Sequence, residues 1–181
     1  MASRNIDACL ESNRTAIAKF VSTLLDLSAS RWDEPRRTGK WSPAQITEHV
    51  AITYERAALF VEGSIAVSGR RPPRFLRPFI RTLIRVTALR TGRFIKSKTP
   101  AAFEPSPRPA SQQVLCERLQ RASRTFEARA REKVNAGIRT FEHPYFGTFG
   151  IEEFVRLEMH HVHHHRRQIL ELSDADPTQN Q

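Results

Sequence analysis

The sequence predicts an all-α fold, a four-helix bundle bearing an additional basic amphipathic helix. Apolar residues recur at three- and four-residue spacing in both halves of the chain, the pattern of helices that bury one stripe. Strand-like alternation of β-branched residues is nearly absent, and such residues are what strands favour. Seven glycines are few, and the eleven prolines gather in the connections. A length of 181 residues suits one domain with an ample core.

From about residue 4 to 30, Ile6, Leu10, Ile17, Phe20, Val21, Leu24 and Leu27 keep helical spacing and predict a first amphipathic helix. The turn "SRWDEPRRTGKW" ends it. A second helix opens at "WSPAQITEHVAITYERAALFV", where Ser42 can cap, Pro43 takes the first helical position and Gln45 completes a capping box. It should reach Val61 or a few residues beyond. After a Pro-Pro stop, "GRRPPRFLRPFIRTLIRVTALRTGRF" reads as a basic amphipathic helix ending near Gly92, with Pro78 restricting its start. "KSKTPAAFEPSPRPAS" is a proline-rich connection with little helical potential.

A third bundle helix covers about 111 to 135, with Leu115, Leu119, Ala122, Phe126 and Ala130 on one stripe and Gly137 as C-cap. "RTFEHPYFGTFG" reads as a loop, and a fourth bundle helix covers about 150 to 172. The expected organisation is one helical domain over residues 1–174 and a disordered tail over 175–181. Within the domain, 68–105 is inserted between the second and third bundle helices.

The net charge of +10 is concentrated in that insertion. Between Glu62 and Glu104 there is no acid, while Arg70, Arg71, Arg74, Arg77, Arg81, Arg85, Arg90, Arg93, Lys96 and Lys98 supply ten positive charges. The remainder of the chain is neutral, so the overall basicity is no argument for a nucleic-acid-binding fold. Arg74, Arg77, Arg81 and Arg85 recur beside Phe79 and Leu83. They are candidates for docking to an anionic membrane surface, nucleic acid or an acidic partner; no groove-reading motif accompanies them, which suits a membrane surface better than base readout. A solvated basic face over a packed helix is the plainer alternative. The chain has no apolar run long enough to span a bilayer and no signal-peptide core at its start, so a cytoplasmic protein is expected. Cys9 and Cys116 form no ligand spacing and are expected as buried, reduced thiols.

Five of seven histidines crowd into "EMHHVHHHRRQ". At about 100° per residue, His161 and His165 fall on the arc of Phe154, Leu157, Val162 and Ile169, which is the buried face. His160 and His163 fall on the solvent side, and His164 on the border. Two imidazoles at i and i+4 on a core-facing stripe can share one metal ion. They could equally be a hydrogen-bonded polar pair in the core or a pH-sensitive pair. His49, inward on the second helix with Ile46, Thr53, Ala57 and Phe60, offers a third nitrogen. Three neutral imidazoles from two helices leave coordination positions open, as catalytic sites do. Gln168, one turn past His165, could hydrogen-bond the site, and Glu158 is a better-placed carboxylate than Glu48, which the wheel turns to solvent. His143 reads as loop structure or pocket wall.

"WSPAQITEHVA" and "HVHHHRRQI" together resemble the two signatures of the DinB/YfiT-like superfamily: a Trp-Ser start to the second helix followed by histidine, and His-x-x-x-His-x-x-Gln on the last. "HPYFGTFGIEEF" is similar to the approach to that last helix in part of the superfamily. The resemblance implies an up-down-down-up bundle holding a divalent ion, nickel or zinc most often, through His49, His161 and His165. It also implies a small-molecule substrate, with thiol-dependent transferases and metal-dependent hydrolases among the relatives, and hence a low-molecular-weight thiol as a second cofactor. The bundle class further suggests a homodimer. A metal kept only as a structural clip is the remaining alternative.

Overall fold

The computed structural model describes residues 2–35, 37–64, 72–94 and 98–173. The expected tail at 175–181, and Arg70, Arg71 and Lys96, lie outside the described residues. Helix α1 (Ala2–Leu25) stops five residues short of its predicted end. Leu25 is 62% exposed, so a longer helix would bury little; the chain instead turns and one helical turn, α2 (Ala29–Trp32), inserts Trp32 into the core.

Helix α3 (Pro43–Glu62) begins as its sequence predicts. Ser42 Oγ accepts from the Gln45 N–H, the Gln45 side chain accepts from the Ser42 N–H, and Gly63 closes the far end at φ 84°. Both caps satisfy backbone groups that a helix end leaves open. Ser42→Ala is expected to cost about 1 kcal/mol in a urea titration; a change below about 0.3 kcal/mol would mean the cap is replaced by water.

Helices α5 (Gln112–Asn135) and α6 (Ile151–Ser173) complete the bundle. Side-chain bonds fix the directions. Glu48 and Glu55 meet Arg118, and Glu62 meets Arg129, so α3 and α5 run parallel. Asn5 meets Glu152 and Thr23 meets Arg166, so α1 and α6 run parallel. Asp7 pairs with Arg131 and Asn13 with Glu127, which sets α1 antiparallel to α5. The order is up-down-down-up, and it is possible only because the long 63–111 connection returns the chain to the start of the bundle before α5.

The core gathers Phe20, Leu24, Val50, Leu119, Phe126 and Phe154 from all four helices. Inside it, Tyr54 Oη donates to Asn13 Oδ1 at 2.6 Å, Asn13 Nδ2 donates to Glu127 Oε1 at 3.1 Å and Arg14 Nε donates to Glu127 Oε2 at 2.7 Å. This chain of bonds joins α1, α3 and α5 and satisfies polar groups that would otherwise be costly to bury.

One connection differs from expectation. "RTFEHPYFGTFG" is not a loop throughout: β1 (Thr140–His143) pairs antiparallel with β2 (Gly147–Gly150), with His143 opposite Gly147. Gly147 supplies the turn at φ 72°, a conformation costly for a residue with a Cβ. Its strands are four residues each, too short for a period-two pattern to announce them. The basic segment is helical as predicted, as a 3-10 turn at Arg74–Leu76, helix α4 (Arg77–Ile84) and a π turn over Arg85–Leu89. The π turn packs on α6, where Ala88 is buried.

Candidate metal centre

The i, i+4 spacing on α6 stacks His161 above His165, and α3 brings His49 against them. His165 Nε2 stands 2.9 Å from His161 Nε2, and His49 Nε2 3.3 Å from it. One ligand nitrogen from each ring lies within 4.8 Å of the others. Nitrogens bound at about 2.0–2.1 Å around a tetrahedral ion sit about 3.3 Å apart, so the spacing suits one ion.

The outer nitrogens decide which lone pairs point inward. His49 Nδ1 is 2.7 Å from the Phe103 carbonyl, which can only accept, so the proton sits on Nδ1 and Nε2 carries a lone pair. His165 Nδ1 is 2.9 Å from Gln168 Oε1, and the Gln168 amide nitrogen is 3.1 Å from His164 Nε2. That amide orientation leaves His165 Nε2 unprotonated as well. One proton on His161 Nε2 can satisfy only one of its two neighbours. Three buried or nearly buried imidazoles that aim more lone pairs than protons at one point fit a cation, and two of them, His49 and His165, are backed by an acceptor as metal-binding histidines are.

His161 Nδ1 has no hydrogen-bond partner, and Glu158 Oε2, 3.9 Å away, has none either. Burial raises the Glu158 carboxyl to about 8; a neighbouring cation would oppose that shift. His161 and His165 are held well below the usual histidine range, first by burial and then by neighbouring histidine charge. His49 is lowered too, chiefly by burial, against the opposing bond to Phe103. All three favour the neutral ring that a metal requires.

A cavity of about 510 Å³ opens onto this cluster. His49, His161 and Glu158 line it, and His165 lies outside the lining. Phe94, Phe103, Phe146 and Leu157 make its walls apolar, and Ile80, Leu83, Ile84 and Ala88 from the basic segment form another wall. The inserted helix thus encloses the space beside the histidines. Sequence reading gave this segment only a candidate anionic-surface role through Arg74, Arg77, Arg81 and Arg85 and no part in the histidine site, because only the packing of α4 against the bundle places Ile80, Leu83 and Ile84 beside the cavity.

Other expectations are refined. His160 and His163 are half-buried rather than solvated. The end of the basic segment covers His160: a Cβ on Gly92 would come within 3.4 Å of His160 Nδ1, and Arg167 holds the Gly92 carbonyl at 2.9 Å. Glu48 does not face solvent; it accepts from the Ser106 N–H at 2.7 Å and pairs with Arg118, because the proline-rich connection folds across α3. Arg81 donates to the Thr148 carbonyl at 2.7 Å and Arg85 to Glu153 at 2.8 Å, so these two arginines tie α4 to the hairpin and the π turn to α6. Arg77 reaches the Pro72 carbonyl, and Arg74 is exposed. Phe103 and Phe94, which flank the cluster, were missed. Nothing in a sequence marks a backbone carbonyl as the partner of a distant histidine.

His143 is pocket wall. Its ring stacks on Phe146 at 4.0 Å and packs against Phe60 and Phe154, and Nδ1 accepts from the Tyr145 N–H. Burial lowers its pKa from 6.5 to about 3. In that window the unfolded chain holds the extra proton, so stability is complete above pH 6.5 and declines as the pH falls toward 3. Urea midpoints should fall over this range, with up to about 1.4 kcal/mol per pH unit from this residue. His143→Phe should flatten the slope by that share; an identical slope in the variant would refute the assignment.

A parallel-paired four-helix bundle with three convergent imidazoles at the edge of an apolar cavity defines a class of helical protein equipped to hold a divalent ion. The sequence profile of the DinB superfamily matches residues 12–169, and the chain belongs to that superfamily. YfiT from Bacillus subtilis, described as a probable metal-dependent hydrolase with an unusual four-helix bundle topology, is similar with a TM-score of 0.57 and 20% identity. The match covers 93% of this chain and 86% of that one, and at this identity it speaks to the fold. No curated protein matches the chain. Among the described residues, no helix is long and apolar enough to cross a membrane.

Proposed function

We propose that this chain is a metal-dependent enzyme that activates a water or a low-molecular-weight thiol against a small, largely apolar molecule, as a hydrolase or thiol-dependent transferase. The observation that carries the reading is the opening of the three-histidine cluster onto an apolar cavity of about 510 Å³. A metal serving only as a clip has no use for such a space. In this reading His49, His161 and His165 hold the ion, nickel or zinc. A divalent ion there supplies Lewis acidity, which brings the pKa of a water or thiol toward neutrality.

The chain's own groups supply the rest. The Phe103 carbonyl and Gln168 keep the His49 and His165 rings turned with Nε2 inward. Glu158, buried beside His161 on the cavity wall, is positioned to receive a proton from the nucleophile or to orient the His161 ring. The aromatic walls exclude water and select an apolar substrate.

Titration of the metal-free protein with zinc and nickel, followed by hydrolase and thiol-transfer screens on the loaded protein, tests the proposal. Binding of one ion per chain and turnover that chelation abolishes are expected. A protein that stays metal-free in excess zinc and nickel would overturn it.

A further inference from the structure

Arg74, Arg77 and Arg81 recur at i, i+3 and i+7, which stacks them on one side of the basic segment. That side faces the outer surface of the hairpin. The inner surface of the hairpin carries buried Phe149 and His143, so Glu142 and Thr148, paired across the strands, point the other way. Between the two elements lies an open recess of about 270 Å³, lined by the three arginines together with Glu142, Gly147 and Thr148.

Charge in this recess is unbalanced. Three guanidiniums face one carboxylate, and Glu142 already accepts from the Thr148 hydroxyl. Among the described residues neither Arg74, Arg77 nor Arg81 forms an ion pair with an acid, whereas the neighbouring Arg85 pairs with Glu153. Arg77 Nε makes one long contact of 3.4 Å to the Pro72 carbonyl. Arg81 is held by Thr148 through Nη1, yet its Nε–H is buried without any acceptor. A buried donor left open costs free energy; the lining of three guanidiniums and one carboxylate is what favours an anionic oxygen in the recess.

We infer that the recess between α4 and the β1–β2 hairpin is a binding site for a phosphate-class oxyanion. Arg81 is fixed in place by its bond to the Thr148 carbonyl and forms part of the recess wall. Arg74 and Arg77 close on the anion from one side of the helix, where guanidinium forks match phosphate oxygens. The geometry favours a small anion over a membrane surface. The exposed apolar residues Phe75 and Phe79 lie on another face, Phe79 being about 160° from Arg81 on the helix, and a helix that lies on lipid needs its cations at the edge of its apolar face. Phe146 lines both this recess and the cavity beside the histidines, so a bound anion would sit one ring away from that cavity. The site does not depend on a metal being present.

Calorimetric titration of inorganic phosphate into the metal-free full chain at low ionic strength, with chloride at matched ionic strength as control, tests the inference. Saturable binding of one phosphate per chain is expected. Arg74→Gln with Arg77→Gln should weaken it by about tenfold for each guanidinium lost, while Arg77→Lys keeps part of the affinity. Circular dichroism and the melting temperature of the double variant without phosphate should match those of the parent, since neither residue ties elements together through an acid. Phosphate binding no stronger than chloride would overturn the site, as would equal binding by the double variant. Vesicles of phosphatidylglycerol and phosphatidylcholine separate the sources: arginine-dependent binding to the anionic vesicles without binding of free phosphate would also overturn the recess and make the arginines a membrane contact.

Discussion

His161→Ala is expected to lower the affinity for zinc or nickel by well over about 100-fold, with the helical content of the protein unchanged. The proposed ion would lose the ligand that stands between the other two, since His161 Nε2 is the atom within 2.9 Å of His165 and 3.3 Å of His49. Removing a group that merely orients a ligand typically costs about 10–100-fold, and Gln168→Ala should fall in that range through the freed His165 ring. His160→Ala and His163→Ala should leave stoichiometry and affinity as they were. The gradation separates a three-histidine centre from a histidine-rich surface, which would lose affinity in small and similar steps with each substitution. Competition titration against a chromophoric chelator measures all four variants. Similar small losses throughout would remove the ligand assignment.

Phe126→Ala should destabilise the metal-free fold by about 3–5 kcal/mol. Phe126 is fully buried on α5, with its ring edge-on to Tyr54 of α3 and to Phe154 of α6 at 5.7 Å each. Truncation would leave a cavity where three helices meet and would loosen the ring of Tyr54, whose hydroxyl anchors Asn13. Tyr54→Phe offers a milder comparison, since it keeps the packing and deletes that bond; leaving Asn13 Oδ1 without its donor should cost about 1–3 kcal/mol. Urea unfolding at neutral pH reads both. A Phe126→Ala loss near 1 kcal/mol would mean that the neighbouring rings collapse into the space.

Much of the bundle was legible because helices announce themselves locally. The capping box at Ser42 and Gln45, the stripe from Leu115 to Ala130 and the predicted limits of α5 and α6 all agree with the structure to within a residue or two. The superfamily resemblance added the up-down-down-up order, which the ion pairs between helices bear out. The hairpin was illegible, since four residues per strand carry no period and its aromatic residues serve a loop equally well. Glu48 was misread for a different reason. A helical wheel knows the axis of one helix and treats every outward position as solvent, whereas the 98–111 connection folds over that side of α3 and supplies the Ser106 N–H.

The sequence by itself determined which elements form and which way their side chains radiate, because spacing around a helix axis depends only on residue number. It was enough to turn His161 and His165 inward and to mark the arginine row as one side of a helix. Only the tertiary structure decided that His49 meets them at one point, that Phe103 and Gln168 set their free nitrogens, and that the basic segment walls a cavity and faces a hairpin. Those relations join residues as far apart in sequence as His49 and His161, 112 positions, or His49 and His165. They follow from how whole helices pack, and no local spacing encodes them.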